Sequence, residues 1–93
     1  MKSYASVEEI DDRFAACELE MIPVEESKTG NYAQKPTEMI DIPIEMVTSV
    51  EPDIKEGDII EVIHGCGIVS CVCGRDDAEK QRRVALIESL LEN

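Results

Sequence analysis

Ninety-three residues, 43% of them hydrophobic, suit one domain with a modest core and leave no room for two. The 21 acidic side chains against 9 basic ones give a formal charge of −12, which repels a phosphate backbone or an anionic membrane and favours a partner with a basic surface. Tyr4, Phe14 and Tyr32 are the whole aromatic complement, so the core has to be aliphatic.

Residues 1–9 carry no apolar signal-peptide segment, and no stretch approaches the roughly 20 apolar residues of a membrane span. Four cysteines without an export signal are expected to be reduced thiols, which places the chain in the cytoplasm. Two strands are predicted over residues 7–10 and 14–22, meeting at the acidic turn Asp11-Asp12-Arg13. In the second, Ala15, Cys17, Leu19 and Met21 share one face, while Glu18 and Glu20 mark the wetter one. Pro23 ends the pairing.

Residues 25–36 are polar and punctuated by Gly30-Asn31, and read as an extended, mobile loop in which Tyr32 is the one anchor a partner would use. The strand pattern resumes over 38–44, with Pro43 confining it to an edge or a strand end. Residues 45–50 fit either a single helical turn or irregular chain. Pro52-Asp53-Ile54-Lys55-Glu56-Gly57-Asp58 is a turn in which Gly57 supplies a positive φ, launching a β-branched strand. Residues 58–64 and 68–73 then form a hairpin about Gly65-Cys66-Gly67.

The last segment, about 77–92, is a helix. Asp76 and Glu79 make an Asp-x-x-Glu capping pattern, and Asp77 adds charge where the helix dipole favours it. Val84, Leu86, Ile87, Leu90 and Leu91 gather on one side at spacings of three and four, a stripe expected to bury itself against the sheet. Lys80, Arg82 and Arg83 on the same helix are expected to face solvent or pair with carboxylates.

The blocks Val7-Glu8-Glu9-Ile10-Asp11-Asp12-Arg13-Phe14, Ile40-Asp41-Ile42-Pro43, Lys55-Glu56-Gly57-Asp58-Ile59-Ile60-Glu61-Val62 and the Arg-rich helix from Asp76 resemble, in order and spacing, a family of short bacterial domains, domain of unknown function number three thousand and six. The chain departs from that pattern at Glu8-Glu9 and Asp11-Asp12, and the 25–36 loop and the cysteines lie outside it. The resemblance implies a small antiparallel β-barrel closed by a C-terminal helix, and it carries no activity.

His64-Gly65-Cys66-Gly67-Ile68-Val69-Ser70-Cys71-Val72-Cys73 holds the candidate site residues. An imidazole and three thiols at His-x-Cys-x(4)-Cys-x-Cys spacing are zinc-ligand types, but structural zinc usually takes its cysteines from a knuckle with wider spacing. With Ser70 facing out, Val69, Cys71 and Cys73 face the core with Cys17, where cysteine packs as a small hydrophobe. Cys66, in the glycine turn, is the thiol expected to be exposed.

The sequence therefore predicts a mainly β fold: a single domain with a five- to six-stranded, barrel-like antiparallel sheet and a C-terminal amphipathic helix. Its expected role is that of a non-catalytic accessory or protein-interaction module without a cofactor, meeting a protein partner and neither nucleic acid nor membrane. The alternative is a zinc-binding or thiol redox module using His64, Cys66, Cys71 and Cys73.

Overall fold

The first hairpin shows how the chain sets its own register. Strand β1 (Lys2–Ile10) and strand β2 (Phe14–Glu20) meet at a turn closed by Asp11, whose Oδ1 accepts hydrogen bonds from the backbone N–H groups of Arg13 and Phe14, each at 2.7 Å. Those bonds hold the Asp11 carboxyl below its ordinary pKa. The structure, a computed structural model, describes residues 1–29 and 35–91.

Five antiparallel strands form one curled half-barrel sheet in the order β3-β2-β1-β4-β5, with β3 (Thr37–Pro43), β4 (Ile59–Gly65) and β5 (Ile68–Arg75) completing it. Strand β3 is an edge, as Pro43 requires, and Pro43 leads directly into the one-turn helix α2 (Ile44–Thr48). The 52–58 turn behaves as its composition predicts. Gly57 sits at φ 93°, its N–H donates to the Val7 carbonyl at 2.8 Å, and Asp58 accepts from the Val7 N–H at 2.9 Å, clipping the turn onto β1 before β4 begins.

One face of the sheet carries the aliphatic core. Ala5, Val7, Cys17, Leu19, Ile60 and Val62 are buried together with Ile42, and Val47 from the one-turn helix packs over them. The opposite face is built differently: Tyr4, Val24 and Ile59 form a small apolar cluster, and charged side chains surround it.

Two sequence expectations need correction here. Val24–Thr29 is a short helix, α1, within the stretch read as an extended loop. Pro23 starts it by accepting the Ser27 N–H at 3.0 Å, Glu25 and Glu26 fall in its acid-tolerant first turn, and Val24 and Ser27 are buried. Residues 30–34, Tyr32 among them, lie outside the described residues. The second correction concerns the C-terminal helix, Asp77–Leu91, hereafter α3. Its apolar stripe does not bury itself: every residue from 84 to 91 is exposed, with Ile87 at 58% and Leu90 at 76%. The half-turns that do meet the body are polar, led by Glu79 and Arg83, so ion pairing fastens the helix and its apolar half projects past the sheet.

Candidate functional site

The two ends of the cysteine-bearing hairpin point in different directions. His64 faces the core and is 2% exposed. Its Nε2 lies 2.9 Å from Ser3 Oγ, and Ser3 spends its single hydroxyl proton on the Ile22 carbonyl at 2.7 Å. His64 Nε2 must then be the donor, which leaves Nδ1 as a bare acceptor with no hydrogen-bond partner among the described residues. Burial, and the positive amino terminus beside it, hold the imidazole below its ordinary pKa, in the neutral form.

Cys71 and Cys73 do not face the core as the alternation predicts. Strand β5 pairs Val69 with His64, Cys71 with Ile63, Val72 with Val62 and Gly74 with Glu61, so Ser70 and Cys73 are extra residues in two bulges. The bulge at Ser70 resets the alternation: Val69 and Val72 turn inward, and Ser70, Cys71 and Cys73 are exposed. Cys66 is exposed as expected, at φ 53° beside Gly67 at φ 83°, in a two-residue turn of the type I′ class. Cys17 is the one core thiol, and burial pushes its pKa up to about 12. The structure thus brings Cys71 and Cys73 to one face and puts His64 on the other. Among the described residues, no three His, Cys, Asp or Glu side chains gather into a metal-holding group.

The densest chemistry lies beneath the start of α3, where the sequence predicts a capping pattern and cations that face solvent or pair with carboxylates; Lys80, Arg82 and Arg83 are all paired. Asp76 caps the helix, its Oδ1 accepting the Glu79 N–H at 3.0 Å while Oδ2 accepts the Tyr4 hydroxyl at 2.9 Å. Glu79 does not reach back to complete a capping box. Its carboxylate, 3% exposed, accepts from Arg82 Nε at 2.8 Å and from Arg83 Nε at 2.7 Å. Burial opposes that charge, and the hydrogen bonds from the two guanidinium groups outweigh it, so the Glu79 carboxyl sits below its ordinary pKa. Arg83 also reaches the buried Glu20 of β2, Nη1 to Oε2 at 2.8 Å, and stacks over the Tyr4 ring at 5.2 Å from its centre. Ser27 of α1 donates to Glu20 at 2.6 Å and accepts from Lys35 at 2.7 Å. A second knot ties the 52–58 turn to the helix: buried Asp58 meets Lys80 at 2.9 Å and the Lys55 N–H at 3.0 Å. Glu20, Asp58 and Glu79, the three buried carboxylates here, are each paired with cations, and these pairs fasten α3 to the body of the domain.

Past Arg83 the helix and the sheet part to form a cleft of about 790 Å³. Leu86, Ile87 and Leu90 wall it from the helix; Ser6, Glu18 and Thr37 floor it from the sheet; Glu20, Lys35 and Arg83 close its inner end. Glu18 is half-buried there and has neither a hydrogen-bond nor an ion-pair partner among the described residues. The sequence held a signal for the fastening half of this site: Glu79 with Arg82 and Arg83 at spacings of three and four, the interval at which helix side chains pair. It held none for the cleft, which depends on where the helix leaves the sheet. Comparison of the chain with family models, with curated proteins and with solved structures returns no match.

Proposed function

We propose that this chain is a non-catalytic protein-interaction module, docking its partner in the cleft between α3 and the sheet. The observation that carries the reading is a helix fastened by buried ion pairs at one end and, among the described residues, left exposed on its apolar side at the other. Contiguous apolar surface of this kind marks docking sites in folded proteins. The partner segment that fits has apolar side chains for Leu86, Ile87 and Leu90 and a lysine or arginine for Glu18, the cleft's unpaired carboxylate. The charge of −12 supports a basic partner over a second copy of this chain, over nucleic acid and over an anionic membrane. No helix of the described residues is long and apolar enough to cross a membrane.

The reading is tested with a synthetic amphipathic helix carrying leucines on one face and lysines along its rim. In isotope-labelled protein it should shift the resonances of Ser6, Glu18, Thr37, Leu86, Ile87 and Leu90, and Leu90→Glu should abolish the shifts. A matched peptide with glutamates in place of the lysines should bind at least about tenfold more weakly. Shifts confined to the β3 or β5 edge would refute the assignment. So would a concentration-dependent dimer that Leu90→Glu dissolves, since the occupant would then be a second copy.

A further inference from the structure

The exposed thiols of β5 owe nothing to the docking cleft. Cys71 and Cys73 lie on the same face of an edge strand, both open to solvent, with the Lys2–Glu61 ion pair (3.0 Å) on that face beside them. Cys71 shares the face of its ladder partner Ile63, and Cys73, the extra residue of the second bulge, is exposed two positions on, with buried Val72 between them turned to the other face. Two bulges within eight residues re-aim this strand, a feature that recurs beside functional groups.

For cysteines two apart on a regular strand a disulfide is strained, because the Cα atoms stand roughly 6.6 Å apart with parallel side chains, near the upper limit for that bond. Cys73 is itself a bulge residue, which turns its side chain off that regular position. A bridging metal relaxes that demand, because two metal–sulfur bonds of about 2.3 Å let the sulfurs stand up to about 4.6 Å apart. Thiolate is a soft ligand, and a site with two thiolates and no third donor gathered to it among the described residues does not meet the four-ligand demand of zinc. It meets that of a soft monovalent cation, which is content with two sulfurs in line.

We infer that Cys71 and Cys73 form a two-coordinate site for a soft monovalent metal ion such as Cu(I). Each thiol loses its proton to solvent, two metal–sulfur bonds form, and no electron is transferred. Two thiolates and one monovalent cation leave a single negative charge, which the Lys2 ammonium on the same face offsets in part.

The test is an anaerobic titration of the reduced full chain with Cu(I) against the chromogenic chelator bicinchoninate. One equivalent per chain should be withdrawn from the chelator, with thiolate-to-metal absorption growing in the ultraviolet. Cys71→Ser and Cys73→Ser should each weaken binding by more than about 100-fold, beyond what loss of an outer partner costs, while circular dichroism reports an unchanged fold. Cys66→Ser should leave the titration as it was. Failure to compete with the chelator would overturn the inference, as would a copper-bridged dimer. Stoichiometric Zn(II) lost on Cys66→Ser would also overturn it, by restoring the four-ligand site. None of these outcomes bears on the cleft, because Leu90→Glu does not touch the thiols.

Discussion

Cys66 occupies the first central position of a type I′ turn, at a φ of 53° where a side chain with a Cβ is disfavoured and asparagine or glycine is at home. Cys66→Asn is therefore expected to raise stability by about 0.5–1 kcal/mol, read as a higher urea midpoint. Gly57→Ala should do the reverse. Nothing lies within 4 Å of the added Cβ, so the loss of roughly 1–2 kcal/mol would report the backbone at φ 93° alone. His64 supplies a pH signature, being the single histidine. Its folded pKa is depressed, so between that value and 6.5 the unfolded chain binds the extra proton. Stability then rises with pH through this window, and is lost as pH falls below 6.5 until the folded pKa is passed. Urea midpoints taken from pH 7.5 down to 5 should show that slope, and His64→Gln should remove it. A wild-type midpoint flat across the window would show that the imidazole is not held neutral. The turn glycine was legible from its neighbours. The His64 environment was not, because the serine that holds it is 61 residues away on β1.

At the scale of elements, β3, β4 and β5 were legible through their β-branched residues and β2 through apolar–polar alternation alone, whereas β1 was legible only over 7–10: Lys2–Ser6 has no β-branched residue and no strand pattern, although it carries Ser3 and Tyr4. What alternation cannot convey is a change of phase within a strand. The bulge at Ser70 inverted the expected faces of Cys71 and Cys73, and its pattern of one extra residue has no signature in Val69-Ser70-Cys71. Likewise α1 hid in a polar stretch because its burial rests on Val24 and Ser27 alone. For α3 the stripe was legible and its role was misjudged, since spacing shows which side chains share a face and not what covers them. The fastening of this helix can be measured directly. Arg83→Met leaves Glu20 with Lys35 at 3.6 Å as its remaining cation and strips Glu79 of one guanidinium, a loss expected to cost about 3 kcal/mol. Adding Glu20→Gln to Arg83→Met should restore part of it, because one fewer buried charge then lacks its partner. A double variant as unstable as the sum of the two singles would mean that the pair is not coupled.

For the molecule as a whole, the question is which side of the sheet carries its stability. The aliphatic face buries Ile60, Val62 and Leu19 completely, whereas the face under α3 is held by charge around Tyr4, Val24 and Ile59. Water competes for ion pairs far better than for buried methyl groups, so the first face should dominate the unfolding free energy. Ile60→Ala is expected to cost about 2–5 kcal/mol. Leu90→Ser, at a position 76% exposed, should change stability by less than about 0.5 kcal/mol. This contrast separates two architectures that a stripe of leucines alone leaves equivalent. Were α3 a lid whose apolar side closes the sheet, Leu90→Ser would cost about as much as Ile60→Ala. Were the apolar side reserved for a partner, it would leave folding untouched and abolish peptide binding. Urea unfolding of the two variants, run beside the peptide titration, decides between them on one pair of proteins: equal destabilisation would refute the open cleft, and an unaltered midpoint with lost binding would establish it.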